Sequence, residues 1–278
     1  MSPSGKTRHP QRRGLALLLL AVAGNALSAG PDDADTMTAA SLRLPDEAQW
    51  AAQRERVRGL LAQLLPDVIA IHNVWQSPQQ PNPACWLASQ LDYACDFVTA
   101  DPPSQPARHG NALLTRHSVI DDGTTLLHGP DQFTAAGMQR LQLGRHLVNV
   151  YVVRIHPQPD QQAAREHQAA DLRAWIASTD GGQPALIVGD FAAPTDELVR
   201  QLPGFQPARR NPSARAAHAG DTARGQSHGL DVLYQVRNFA DVGQRSLKLG
   251  RDGGTPLPLG LMATIRFTSA PGKVVPAP

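Results

Sequence analysis

The stretch PDVIAIHNVW, Pro66 to Trp75, decides the fold. Its apolar, β-branched run from Val68 to Ile71 follows a proline and predicts a buried strand. The segment before it, Asp46 to Leu64, predicts a helix, because its apolar residues recur at helical spacing until Pro66 ends it. The strand runs on into His72 and Asn73, so two polar side chains stand where the chain leaves the core.

Further apolar runs predict a chain in which strands outnumber helices and do not alternate strictly with them. This pattern favours sheets packed face to face with helices outside, rather than a doubly wound parallel sheet. The other predicted strands are 111–115, 124–128, 139–143, 147–155, 185–188, 230–236 and 261–267; the other helices are 86–91, 161–178 and 195–202, and 207–227 is a surface loop.

Residues 1–29 have the pattern of a cleaved signal peptide: a basic start, a short apolar core and small residues at the cleavage positions. The alternative is a short membrane anchor, but a span needs about 20 apolar residues. Export predicts a periplasmic or secreted protein with no membrane span after cleavage. We assign 30–37 to a disordered linker, 38–268 to one domain and 269–278 to a tail.

The charge balance argues against a nucleic-acid partner. The chain has 26 basic and 24 acidic residues, and the leader contains four of the basic ones, so 22 basic and 24 acidic residues remain. A protein that grips a nucleic-acid backbone needs a basic face, which this composition does not supply.

The chain has two cysteines, Cys85 and Cys95. An exported protein meets an oxidising compartment, where a disulfide persists, so we predict a bond between them. Two buried free thiols are the alternative.

Polar residues recur in six further segments along the chain, most of which overlap a predicted strand. The segments that contain them are AASLRL (39–44), HGNALLTR (109–116), VYVVRIHP (150–157), PALIVGDFAAPT (184–195), SHGLDVLYQ (227–235) and GGTPLPLGLMATIRF (253–267).

Together with PDVIAIHNVW, these segments resemble the motifs of the endonuclease/exonuclease/phosphatase superfamily, the deoxyribonuclease-I-like fold, over about Thr38 to Phe267. The resemblance implies an α/β fold: a four-layer sandwich of two mixed β-sheets packed face to face, with helices on both outer sides. It also implies a cleft at the strand ends in which a divalent metal and proton-transfer groups hydrolyse a phosphoester.

Several family positions are retained. The resemblance implies that His156 contacts the phosphate or acts as an acid. It also implies that the carboxylate of Asp190 orients or deprotonates the attacking water. Asp231 is also kept. Asn111 and Arg116 are candidate substrate-binding residues, although both could instead cap a strand and its turn.

Five other family positions are replaced. Ser41 stands where the family has an Asn that helps to place the metal, and Asn73 stands where it has the Glu that binds the metal. Ala192 replaces the Asn that holds a phosphate oxygen, and Thr255-Pro256 replaces the Asp-His pair. Catalytic groups act as a unit, so five such losses predict little remaining hydrolysis.

The leading hypothesis is therefore an exported member of this superfamily that is catalytically impaired and has a binding or regulatory role. Its ligand would be a small anion, a phosphoester or a protein, with no metal or cofactor assigned. The alternative is an active phosphodiesterase or phosphatase that uses Mg or Mn, or a site rebuilt for zinc or manganese from His72, His156, Asp190 and Asp231. A third hypothesis is an α/β binding protein with coincidental motifs.

Overall fold

The computed structural model describes residues 35–129, 133–155, 161–191, 195–208, 229–251 and 254–268. In these ranges the chain forms twelve strands and four helices. In chain order they are β1 (Thr36–Arg43), α1 (Glu47–Leu64), β2 (Val68–Gln76), α2 (Pro83–Leu91), β3 (Ala94–Val98), β4 (Arg108–Thr115), β5 (Ser118–Leu127), β6 (Thr134–Leu143), β7 (His146–Arg154), α3 (Gln162–Thr179), β8 (Ala185–Asp190), α4 (Thr195–Gln201), β9 (Phe205–Pro207), β10 (Leu230–Gln235), β11 (Phe239–Arg251) and β12 (Gly254–Phe267).

The strands form two six-stranded mixed sheets. The first sheet has the order β11-β12-β1-β2-β4-β3, and the second has the order β5-β6-β7-β8-β10-β9. Each contains a parallel pair near its centre, β1 with β2 and β7 with β8, among antiparallel neighbours. The two mixed sheets of the predicted fold class are therefore confirmed.

Side-chain alternation along the strands builds the layers. In β2, Val68 and Ala70 lie in the core between the sheets, whereas Ile69 and Ile71 pack outward beside Val57 of α1. The second sheet does the same against α3. Successive side chains of a strand point to opposite faces, so each central strand feeds both cores. Helices thus cover both outer faces, as the predicted four-layer sandwich requires.

Three details differ from the sequence prediction. β1 was not predicted, and it begins at Thr36, inside the predicted linker, because Met37 is fully buried between the sheets and Thr36 pairs with Arg266. The strand β11 was not predicted, since β-bulges at three places along its pairing with β12 break the alternation of its side chains. The sequence analysis also missed β3 and the short β9. Residues 1–34 and 269–278, with the predicted leader and tail, lie outside the described residues.

The end of the inter-sheet core opposite His72 is closed by a charged cluster around Asp67. Its carboxylate accepts hydrogen bonds from Thr38 at 2.7 and 2.8 Å, and from the Arg116 guanidinium at 2.6 Å. His117 Nε2 lies 2.7 Å from the same carboxylate. Although burial opposes ionisation, the hydrogen bonds from His117, Arg116 and Thr38 hold the pKa of Asp67 well below its usual range.

The predicted disulfide between Cys85 and Cys95 is present and joins α2 to β3, with the two Cα atoms 5.3 Å apart. Cys95 packs against the outer core of the first sheet. A covalent link of this kind restricts the unfolded chain more than the folded one.

Reduction of this bond should lower the free energy of unfolding by roughly 2–3 kcal/mol, because the loop it closes is short. Urea denaturation with and without dithiothreitol measures the difference. The double variant Cys85→Ser, Cys95→Ser is the matched control, since the chain has two cysteines and the variant should no longer respond to the reductant. An equal response of both proteins would contradict the assignment.

Candidate functional site

Polar side chains continue the inward-facing phase of five strands beyond the inter-sheet core, at one end of both sheets. In β2 the inward residues Val68 and Ala70 are followed in phase by His72. In β8, Leu186 and Val188 are followed by Asp190. Because the phase is the same on β1, β4 and β7, their polar ends meet in the same place. We call this group the cleft cluster; its members are Ser41, Arg43, His72, Asn111, Arg154 and Asp190.

His72 is fully buried at the centre of this cluster. Its Nε2 lies 3.1 Å from Ser41 Oγ, and its Nδ1 lies 3.3 Å from Asn111 Oδ1. The Ser41 hydroxyl also lies 3.1 Å from the carbonyl oxygen of Gly189 on the second sheet. The imidazole is therefore the centre of a hydrogen-bonded chain that links the two sheets.

This chain has the order of a nucleophile, a base and an orienting group, but its burial excludes that chemistry in this conformation. Ser41 and His72 have no exposed surface, and Asn111 is 4% exposed. A nucleophilic hydroxyl has to reach the atom that it attacks. The arrangement instead holds a neutral imidazole in place, because burial lowers the pKa of His72 to about 4 against the opposing charge of Asp190.

Asp190, the retained carboxylate, faces two guanidinium groups. Arg43 donates a hydrogen bond to Asp190 Oδ2, and Arg154 Nε lies 3.9 Å from the same oxygen. Asp190 is 1% exposed, whereas the side chains of Arg43 and Arg154 are 43% and 36% exposed. With His72 neutral, two cations and one anion leave the cleft cluster with a net positive charge.

Asn73 lies outside this cluster because the backbone turns at that residue. It has a positive φ of 59°, and the pairing of β2 with β4 shifts register between Ile71 and Val74. Asn adopts this left-handed conformation more readily than most residues. The side chain of Asn73 is exposed, while that of its neighbour His72 enters the cleft cluster.

Asp231 has local partners. Its carboxylate accepts hydrogen bonds from Thr195 Oγ1 of α4 at 2.8 Å and from Gln244 Nε2 of β11 at 3.0 Å. It therefore ties a helix of the second sheet's outer layer to an edge strand of the first sheet. The catalytic role predicted for Asp231 stays a prediction.

Of the other predicted site residues whose side chains the structure describes, Arg116 and Pro256 do not join the cleft cluster. Arg116 binds Asp67 at the opposite end of the inter-sheet core, so of the two predicted substrate-binding residues the structure places Asn111 alone beside His72. Pro256 is exposed on β12, which also contains the backbone of Thr255. His156 and Ala192 lie outside the described residues.

The sequence analysis did not single out Arg43 and Arg154. The signal that would have found them is their phase: Arg43 lies two residues after Ser41, and Arg154 lies two residues before His156. Side chains two apart on a strand share a face. If Ser41 and His156 face the cleft, Arg43 and Arg154 are therefore expected to face it as well.

The described residues do not fit a divalent metal ion. Within those ranges, no three His, Cys, Asp or Glu side chains come together as an ion-binding group. Hard cations such as magnesium are held by several carboxylate, carbonyl and water oxygens. Here the carboxylate of the cleft cluster faces Arg43 and Arg154, and both nitrogens of His72 have hydrogen-bond partners.

The depressed pKa of His72 predicts a specific pH dependence of stability. Between pH 6.5 and about 4 the unfolded chain binds a proton that the folded imidazole does not, so the free energy of unfolding falls as pH falls through this window. The loss should be about 3 kcal/mol. In the variant His72→Gln this part of the pH dependence should vanish.

Urea denaturation at pH 7 and pH 4.5 gives the change in the free energy of unfolding for wild type and for His72→Gln. The difference between the two changes is the effect of His72, because the contributions of the other titrating groups are common to both proteins. His128→Gln is the matched control, because it removes an exposed histidine that pairs with Asp171 outside the cleft cluster. A pH dependence that is the same in wild type and His72→Gln would refute the buried neutral imidazole.

Comparison with known proteins supports the resemblance. The model of the Endonuclease/Exonuclease/phosphatase family matches residues 22–231, more than half of the chain. No curated protein sequence matches significantly.

Among solved structures, the human Nocturnin catalytic domain with bound sulfate anion has a TM-score of 0.63 at 16% identity, covering 84% of this chain and 94% of that one. The Bacteroides vulgatus endonuclease/exonuclease/phosphatase has a TM-score of 0.63 at 15% identity, with 84% and 99% covered. A family protein from Leptotrichia buccalis C-1013-b has a TM-score of 0.62 at 11% identity, with 84% and 100% covered.

At these identities the solved structures establish the fold, and the family model establishes the kinship. The two mixed sheets, the order of strand-end motifs and this match agree. The chain belongs to the endonuclease/exonuclease/phosphatase family, a family of nucleases and phosphatases.

Proposed function

We propose that the protein is an anion-binding member of the family that has lost standard metal-dependent hydrolysis and acts in binding or regulation. One observation carries the proposal: the buried carboxylate of Asp190 is engaged by Arg43 and approached by Arg154. A carboxylate neutralised by guanidinium groups is a poor partner for a divalent cation, whereas half-exposed guanidinium groups are good partners for an anion.

The sequence positions that hydrolysis would need support the same reading. Asn73, where the family has its metal-binding Glu, provides no charge and is exposed. Pro256, where the family has a His, has no proton to give. Loss of a single oxyanion donor, as at Ala192, typically costs about 10²–10³ in rate. These deficits fall on one catalytic unit, so no single neighbour restores it.

The geometry favours a ligand such as phosphate or a phosphoester. Each guanidinium presents a planar set of N–H donors that matches tetrahedral oxyanions in pairs of hydrogen bonds. Arg43 and Arg154 come from different sheets, so an anion between them would be held from both walls of the cleft. The sulfate described for the human Nocturnin catalytic domain is an anion bound by a protein of this fold.

We also propose that the protein is exported to the periplasm or secreted. The basic and apolar pattern of residues 1–29 supports export, and the Cys85–Cys95 disulfide fits an oxidising compartment. In the described ranges, no helix combines the length and apolarity needed to cross a membrane.

Purified mature protein should show no metal-stimulated cleavage of bis-p-nitrophenyl phosphate, DNA, RNA, sphingomyelin or phosphoinositides with magnesium, manganese or calcium. The reason is the missing set of anionic metal ligands. Asp190→Ala is the matched control, because it removes the retained carboxylate and with it any activity of this cleft. Turnover by the wild type that this substitution abolishes would end the proposal.

The protein should bind inorganic phosphate in the presence of a chelator, as measured by calorimetry. Arg43→Met and Arg154→Met should each weaken binding roughly tenfold or more, since each removes a charge-assisted pair of hydrogen bonds. Arg58→Met is the matched control, because Arg58 pairs with Glu55 along α1. Equal affinities of all three variants would place the anion elsewhere.

A further inference from the structure

Two buried polar atoms of the cleft cluster have no hydrogen-bond partner among the described residues: Asp190 Oδ1 and Arg154 Nε. The two residues are register partners on the parallel strands β7 and β8, so the two atoms belong to adjacent side chains. Burying an unpartnered polar group costs about 1–3 kcal/mol, and native proteins seldom leave such a group unsatisfied. Asp190 Oδ1 needs a hydrogen-bond donor, and Arg154 Nε needs a hydrogen-bond acceptor.

A ligand that fills both needs must bring an acceptor and a donor together. Resting on the anion binding proposed above, we infer that the cleft selects an anion that still carries an acidic hydrogen, namely hydrogen phosphate or a singly protonated phosphomonoester. Its charged oxygens would bind Arg43 and Arg154. Its P–O–H group would donate to Asp190 Oδ1 once the half-exposed side chain of Arg43 turns from Asp190 toward the anion and uncovers the carboxylate.

The same carboxylate makes the cleft selective against sulfate. Phosphate and sulfate have nearly the same shape, but sulfate carries no hydrogen near neutral pH and therefore has nothing to donate. A sulfate oxygen in the place of the P–O–H group would meet the carboxylate oxygen as one acceptor facing another, with both groups negatively charged. Selection between the two anions thus depends on a single hydrogen.

The described groups around Asp190 are two guanidinium groups, one imidazole and a second carboxylate. Arg43 on β1 and Arg154 on β7 stay protonated. His72 on β2 stays neutral because its pKa is lowered to about 4. Asp231, on the neighbouring strand β10, binds Thr195 and Gln244. Methyl phosphate and inorganic phosphate meet the same protein groups, so the difference between their two pH dependences reports the proton on the ligand.

Calorimetric titration with phosphate and with sulfate at pH 7, in the presence of a chelator, tests the inference. The wild type should prefer phosphate by roughly tenfold or more, the value of one hydrogen bond to a charged group. Asp190→Asn should bring the two affinities close together. The ratio of affinities is the readout, because removal of one negative charge raises the affinity for both anions alike.

Asp122→Asn is the matched control: it removes the same charge from an exposed residue of the edge strand β5 and should leave the ratio unchanged.

A second measurement uses the wild type alone, so it does not depend on the folding of a variant. Methyl phosphate loses its remaining hydrogen near pH 6. Its affinity should fall as pH rises from 5 to 8, even though its charge doubles, while inorganic phosphate keeps one hydrogen and its affinity.

The outcomes separate the two proposals. If neither phosphate nor sulfate binds, the anion-binding function itself is wrong. If both bind equally well to the wild type, anion binding stands and the selection by a hydrogen is wrong. A phosphate preference that persists in Asp190→Asn, or a methyl phosphate affinity that rises with pH, would also overturn this inference.

Discussion

The packing of two sheets against each other is the constraint on which the rest of the molecule depends. Each central strand must present apolar side chains to both faces, and the inner set has to interlock with the set from the other sheet. The short inner residues Ala39, Ala70 and Ala263 allow the sheets to approach, and the valines of β7 fill the space between them. The site begins where this apolar phase ends, so its position follows from the packing.

Polar contacts between the sheets replace apolar contacts at that boundary. The Ser41 hydroxyl reaches the Gly189 carbonyl across the interface, and Arg43 reaches Asp190 in the same way. Charges removed from water require such partners, because desolvation of an isolated ion costs several kcal/mol. The cluster therefore serves structure and binding at once, and any ligand has to compete with a protein carboxylate for Arg43.

Much of the fold could be predicted from sequence because its signals are local. The apolar run from Val68 to Ile71, the valines before Arg154 and the Gly189-Asp190 pair at the end of β8 identify strands and their ends without three-dimensional information. The site could be predicted less well. The pairing of Arg116 with Asp67 depends on which strand ends meet, and the phase of β11 is broken by bulges that leave no clear mark in composition.

The left-handed backbone at Asn73 bears on how this family member could change in evolution. Glutamate, which the family resemblance leads us to expect at this position, would incur strain of roughly 1 kcal/mol at a φ of 59°. Its Cβ would crowd the following carbonyl oxygen without the local hydrogen bond that an asparagine side chain can make. The substitution Asn73→Glu would thus be opposed by the backbone before any cation could stabilise it. Restoring an acidic side chain at residue 73 would therefore require a change of the local backbone as well as of the residue.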